Sequence, residues 1–142
     1  MEGVIALAVA LAGAAAFGLW RRWSDGRVRD RPSDRGIRLT AQDLGHALGD
    51  RVTLVQFSTA FCQPCRATSQ VLRYVATSTD GAVHVNIDAE SNLDLVRRLG
   101  VTRTPVTFAL DADGTVRGRA TGALRLHDAR AMAAAVVSDY ET

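Results

Sequence analysis

Two cysteines, three histidines and no lysine are found in a chain of 142 residues. Each shortage narrows what the protein can do. Cys62 and Cys65 have no third thiol to join them, and His46, His84 and His127 lie far apart without ligand spacing. A structural zinc site needs four ligands, normally two cysteine pairs or one pair with two spaced histidines. No metal is therefore expected. The missing lysine leaves all 17 basic residues as arginine, which carries no functional information by itself. A formal net charge of +2 offers no nucleic-acid footprint, and no internal repeat is present.

Charge is also missing from Gly3 to Trp20, the 18-residue run GVIALAVALAGAAAFGLW. As a helix this run spans about 27 Å, close to a hydrocarbon core of about 30 Å. Trp20 and Trp23 bracket Arg21 and Arg22, an interfacial aromatic anchor followed by positive charge. Residues 3–20 are expected to be a transmembrane anchor. A cleaved signal peptide and a buried core helix are the alternatives, but a signal would carry Lys or Arg before the apolar run, where only Met1 and Glu2 stand.

Seven arginines against three aspartates give residues 21–38 a net charge of +4, whereas ten arginines against eleven acids give residues 39–142 a net of −1. Placing that excess on the inner side of a single-pass cell-membrane anchor puts residues 21 onward in the cytoplasm, a reducing compartment. Residues 21–36, punctuated by Pro32, Gly26 and Gly36, read as a charged flexible linker. Contact with anionic headgroups is a second reading of the same segment, behind a plainly solvated tether.

From Ile37 the texture becomes that of a folded domain, residues 37–142. Thr40 precedes AQDLGHAL with Asp43 three residues on, the pattern of an N-capped short helix reaching Leu48. VTLVQF (Val52 to Phe57) reads as a buried strand, Cys62 to Thr77 as a helix, and AVHVNI (Ala82 to Ile87) as a strand. LDLVRRL after Asn92 is a helix stopped at Gly100. Val106–Leu110 and TVRGRAT form a hairpin through Asp111–Gly114, and His127–Tyr140 is a last helix. With a short pairing segment at Ile37–Thr40, the order is β-α-β-α-β-α-β-β-α, which calls for an α/β fold with a mixed central sheet and helices on both faces.

Cys62 and Cys65 stand where the strand Val52–Phe57 passes into a helix. A structural clip is a weak use of them, because closing so short a loop removes little chain entropy. A redox pair fits better. At a helix N-terminus the unpaired N–H groups favour thiolate over thiol on Cys62, making it a nucleophile. Cys65, one turn further in, is within reach to resolve a mixed disulfide. Pro64 suits an early helical position, where its missing N–H costs nothing. Arg66 adds positive charge beside the pair, or is simply solvated.

Three marks agree in order and spacing: C-x-P-C, N-x-D at Asn86 and Asp88, and G-V-x-x-x-P at Gly100, Val101 and Pro105. With them the chain from about Ile37 onward resembles thioredoxin. The resemblance implies the thioredoxin fold, and it implies a cis Thr104–Pro105 bond facing the dithiol, with the Thr104 backbone turned toward an extended substrate. It further implies a substrate groove that includes Phe61, Gln63, Pro64 and Gly122, and no cofactor beyond the redox-active Cys62–Cys65 disulfide. Three departures stand out. Gln56 holds the place of a buried aspartate thought to help move the second thiol's proton, and a glutamine cannot accept that proton. Ser58 and Phe61 hold places usually taken by tryptophan, and Gln63 replaces the glycine of C-G-P-C.

The expected activity is that of a membrane-tethered protein-disulfide reductase with Cys62 as nucleophile and Cys65 as resolving thiol. Its implied partners are protein disulfides and a thioredoxin-reductase-like or small-thiol electron donor. An extracytoplasmic thioredoxin-like reductase and a non-catalytic binding module at the membrane are the alternatives.

Overall fold

In a computed structural model that describes residues 1–29 and 31–142, the chain forms a long N-terminal helix and a five-stranded mixed sheet covered on both faces. The long helix, α1 (Glu2–Ser24), is 23 residues, about 35 Å, and none of its residues is buried. It is long and apolar enough to cross a membrane. It extends beyond the apolar run, with Arg21 and Arg22 in its last turn, where cations complement the helix dipole.

The sheet is built from β1 (Val28–Arg29), β2 (Val52–Ser58), β3 (Ala82–Asp88), β4 (Val106–Asp111) and β5 (Val116–Thr121), in the order β1-β5-β4-β2-β3. Only β2 and β3 run parallel. Four helices pack around it: α2 (Ala41–Leu44), α3 (Gln63–Ser78), α4 (Leu93–Arg98) and α5 (Leu126–Tyr140). Strand β2 is buried along both faces, which is why it reads as a continuous apolar run rather than an alternating one. Val55 and Phe57 point to the face that packs Leu95 and Leu99 of the α4 region, with Phe108 edge-on to Phe57. Val52 and Leu54 point to the other face, against Leu72 and Val75 of α3 and Met132 and Val136 of α5.

Two local expectations are corrected. The helix after Thr40 stops at Leu44 rather than Leu48, because Gly45 turns left-handed (φ 63°) and its N–H closes on the Ala41 and Gln42 carbonyls. Its start is as expected: the Thr40 hydroxyl accepts from the Asp43 N–H, and the Asp43 carboxylate accepts from the Thr40 N–H. The Ile37–Thr40 segment contributes only a single bridge, Arg38 with Thr115. It holds the hairpin turn tightly: Gly114 (φ +84°) approaches so closely that a Cβ there would collide with the Leu39 carbonyl oxygen.

The larger difference concerns residues 25–36, expected as a free linker. The Gly26 N–H donates to the Thr121 carbonyl, and Val28 and Arg29 pair antiparallel with Ala120 and Arg119 as the edge strand. Asp34 is buried and accepts from Arg119, whose guanidinium also donates to the Leu99 and Gly100 carbonyls and lies over the Phe108 ring. The physical reason is that β5 would otherwise present an unpaired edge, and Arg119 a buried charge without a counterion.

Candidate active site

The end of β2 and the start of α3 place the two cysteines. Cys62 is the N-cap residue of α3, with extended backbone, and its sulfur accepts the Cys65 N–H at 3.2 Å. Pro64 occupies the first turn, as the sequence leads one to expect. Cys62 and Cys65 are joined as a disulfide with Cα atoms 5.2 Å apart. Burial separates their roles: Cys65 is 3% exposed, whereas Cys62 is only half-buried. An incoming sulfur therefore meets Cys62 first.

Opposite the disulfide, the Thr104–Pro105 bond is cis and the Thr104 hydroxyl lies 3.9 Å from the Cys62 sulfur. Thr59 meets the same hydroxyl at 3.2 Å. Gly122 comes up beside this loop, its N–H donating to the Pro105 carbonyl. Phe61 projects into solvent at 98% exposure, and Gln63, Pro64 and Arg66 are exposed around the rim. Of the residues the sequence points to, Cys62, Cys65 and Arg66 line one pocket with Thr59, Ser69 and Asn86, Thr104 faces the Cys62 sulfur, and Gln56 lies buried against the Cys65 carbonyl.

Gln56 is fully buried. Its amide nitrogen donates to the Cys65 carbonyl at 2.8 Å, and its oxygen accepts from the Ser69 hydroxyl at 2.8 Å. His84 completes the set, with Nε2 3.2 Å from the same oxygen. Sequence reasoning assigned His84 to an ordinary strand position and did not single out Ser69. The signal for both is register: parallel pairing of β2 with β3 sets Leu54 beside His84 and Gln56 beside Asn86, and neither spacing is visible along the chain.

Burial, with Arg73 nearby as a smaller contribution, lowers the His84 pKa from 6.5 to about 4. His84 is thus neutral at pH 7, and its Nε2–H can donate to Gln56. In the unfolded chain it would protonate near pH 6.5. Between about pH 6.5 and 4 the unfolded state therefore binds more protons, so stability falls as the pH falls through that window. A His84→Gln variant should lose less stability than wild type between pH 7 and pH 5. Urea midpoints at the two values check this, and parallel losses in both proteins would exclude His84 as the cause.

A helix-capped dithiol facing a cis X-Pro loop on a mixed sheet defines a thioredoxin-fold protein, with the arrangement of a thiol–disulfide oxidoreductase. The chain belongs to the thioredoxin family, matching the family model for thioredoxin over residues 37–135. Among solved structures it is similar to chloroplastic thioredoxin z, at 24% identity and a TM-score of 0.59, covering 73% of this chain and 96% of that one. It is similar to Fasciola hepatica thioredoxin at 22% identity and a TM-score of 0.55, covering 61% and 82%. Thioredoxin f from spinach chloroplast shares 26% identity at a TM-score of 0.52, covering 61% and 79%. Comparison with curated proteins gives no match. Family members work through the cysteine pair and need no cofactor. Among the described residues no group of three His, Cys, Asp or Glu could hold a metal ion.

Proposed function

We propose that the protein is a membrane-tethered thiol–disulfide oxidoreductase that reduces protein disulfides from the cytoplasmic face. The observation that carries this reading is the asymmetry of the pair: an accessible Cys62 sulfur receiving an N–H at the head of α3, and a buried Cys65 one turn behind it. In the reduced enzyme the Cys62 thiolate attacks one sulfur of a substrate disulfide. That S–S bond breaks, a mixed disulfide forms and the first substrate thiolate leaves. Cys65, as thiolate, then attacks the Cys62 sulfur, releasing the second substrate thiolate and closing the intrachain bond. The substrate gains two electrons and the dithiol loses two. A thioredoxin-reductase-like protein or a small thiol must then restore the dithiol. Thr104, Pro105 and Gly122, with Phe61, Gln63 and Pro64 on the opposite rim, form the groove for an extended substrate, and Arg66 adds positive charge beside it.

Residues 3–20 serve as the anchor, and the arginines that follow favour a cytoplasmic domain. A membrane-impermeant thiol reagent applied to intact cells tests the sidedness. Cys62 should stay unlabelled until the membrane is opened; labelling in intact cells would make the domain extracytoplasmic.

Gln56 accounts for a second expectation. Its amide holds the Cys65 backbone but cannot take the Cys65 proton, so resolution should be slow at neutral pH. Gln56→Asp should raise the resolving rate at pH 7 by about a hundredfold, the lower end of what a positioned general base contributes. Stopped-flow reduction of a model disulfide measures it, and an unchanged rate rejects the idea.

A further inference from the structure

Edge strand β1 gives the sequence Arg27-Val28-Arg29-Asp30-Arg31 a meaning that it lacks as a linker. Side chains alternate along a strand, so the valine and the arginines part company. Val28 is paired with Ala120 and packs over Gly118, where an added Cβ would meet it at 3.4 Å. Arg29 is paired with Arg119 and shares its face. Two cations directly opposite each other on a sheet repel, and such a pair is tolerated only where other charge is at hand.

On that face is a cavity of about 330 Å³ lined by Arg27, Arg29, Arg31, Arg103 and Arg119 and, among the described residues, by no acidic one. Asp34 pairs with Arg119, and Asp25 with Arg103. Arg27, Arg29 and Arg31 have no carboxylate within ion-pair distance among the described residues. Even counting Asp30, the segment keeps three arginines against one acid. Arg119, 4% exposed, keeps its Nε–H without a partner. Trp20 and Ser24, from the last turns of α1, complete the wall together with Thr102, Val106 and Thr121. The cavity therefore opens where the apolar run ends.

We infer that this cavity is a binding site for the phosphate headgroup of an anionic membrane lipid, one carrying more than a single negative charge. Guanidinium groups suit it because each presents paired donors to phosphate oxygens. The tryptophan suits it because an indole ring at a helix end sits at headgroup depth. Several converging arginines match a headgroup with two phosphates better than one with a single phosphodiester. The lipid setting rests on the anchoring proposed above, whereas the anion site rests on the arginine lining, of which Arg103 and Arg119 also hold Asp25 and Asp34.

The test uses the full chain in detergent micelles, with native mass spectrometry counting retained cardiolipin against phosphatidylglycerol supplied at equal charge. The wild type should retain cardiolipin preferentially. Replacing the exposed trio together (Arg27→Gln, Arg29→Gln, Arg31→Gln) should lower the bound fraction about tenfold or more. A control of equal net charge outside the cavity (Arg38→Gln, Arg97→Gln, Arg130→Gln) should leave it unchanged. Equal losses in the two triples would overturn the site, as would the absence of any preference. Inorganic phosphate that displaces the lipid completely at equal phosphate would show a soluble anion to be the ligand and overturn the lipid assignment. Carbonate extraction from vesicles tests the anchor separately: release of the chain would remove the membrane reading, while the micelle count still decides the cavity.

Discussion

Cys62→Ser is expected to bring dithiothreitol-driven insulin reduction down to the reagent's own rate, a complete loss of enzymatic turnover. The expectation rests on exposure and geometry. Cys65 is buried behind the helix N-terminus, so no second sulfur can take over the first attack. Cys65→Ser should behave differently. Cys62 can still attack, but nothing in the chain can then resolve the product, because these two are its only cysteines. The variant should accumulate a covalent mixed disulfide with its substrate, visible as a mass shift that thiol reagents reverse. Turnover that survives in Cys62→Ser, or a Cys65→Ser variant that forms no adduct, would remove the catalytic reading. An inactive wild type would favour a binding module instead.

The second large effect concerns stability. Arg119→Leu is expected to cost about 3–5 kcal/mol, the range for removing one partner of a buried ion pair. The loss is large because the arginine serves several groups at once. Its guanidinium neutralises Asp34, donates to the Leu99 and Gly100 carbonyls, and covers the Phe108 ring. Without it, a carboxylate 6% exposed is left with no countercharge. Replacing both members (Arg119→Leu with Asp34→Leu) should recover part of the loss, since the buried charge is then gone as well. Urea denaturation of the three proteins checks this. A single variant within about 1 kcal/mol of wild type, which is what a surface pair contributes, would show that residues 31–34 do not dock on the sheet.

How far these features are legible in the chain depends on the reach of the interactions behind them. Pro64 after Cys62, the Thr40–Asp43 cap and the stop at Gly100 (φ +60°) all depend on neighbours within about one helical turn. So does the uncharged run of α1. The helix after Thr40 reads longer in the sequence than it is, because Gly45 ends it locally, at a position where glycine is also tolerated inside a helix. The docking of Gly26, Val28, Arg29 and Asp34 on the sheet is illegible in the chain for a different reason. Charged residues at alternate positions look like a solvated tether until an edge strand pairs with them. The partners, moreover, are remote: 85 residues separate Asp34 from Arg119. His84 and Gln56 are 28 residues apart and meet only through the register of β2 on β3.

The amino-acid sequence by itself determined the dithiol and its place before a helix, the apolar N-terminal run, the order of most strands and helices, and the resemblance to thioredoxin. Those features are written in residue type and short spacing, where backbone geometry and helix-end electrostatics act directly. Tertiary structure alone decided that Cys65 is the hidden sulfur, that Gln56 is held by Ser69 and His84, and that five arginines converge beside the end of α1. Burial and charge convergence depend on which distant segments pack together. Only the completed sheet, with β1 on its edge, brings them into contact.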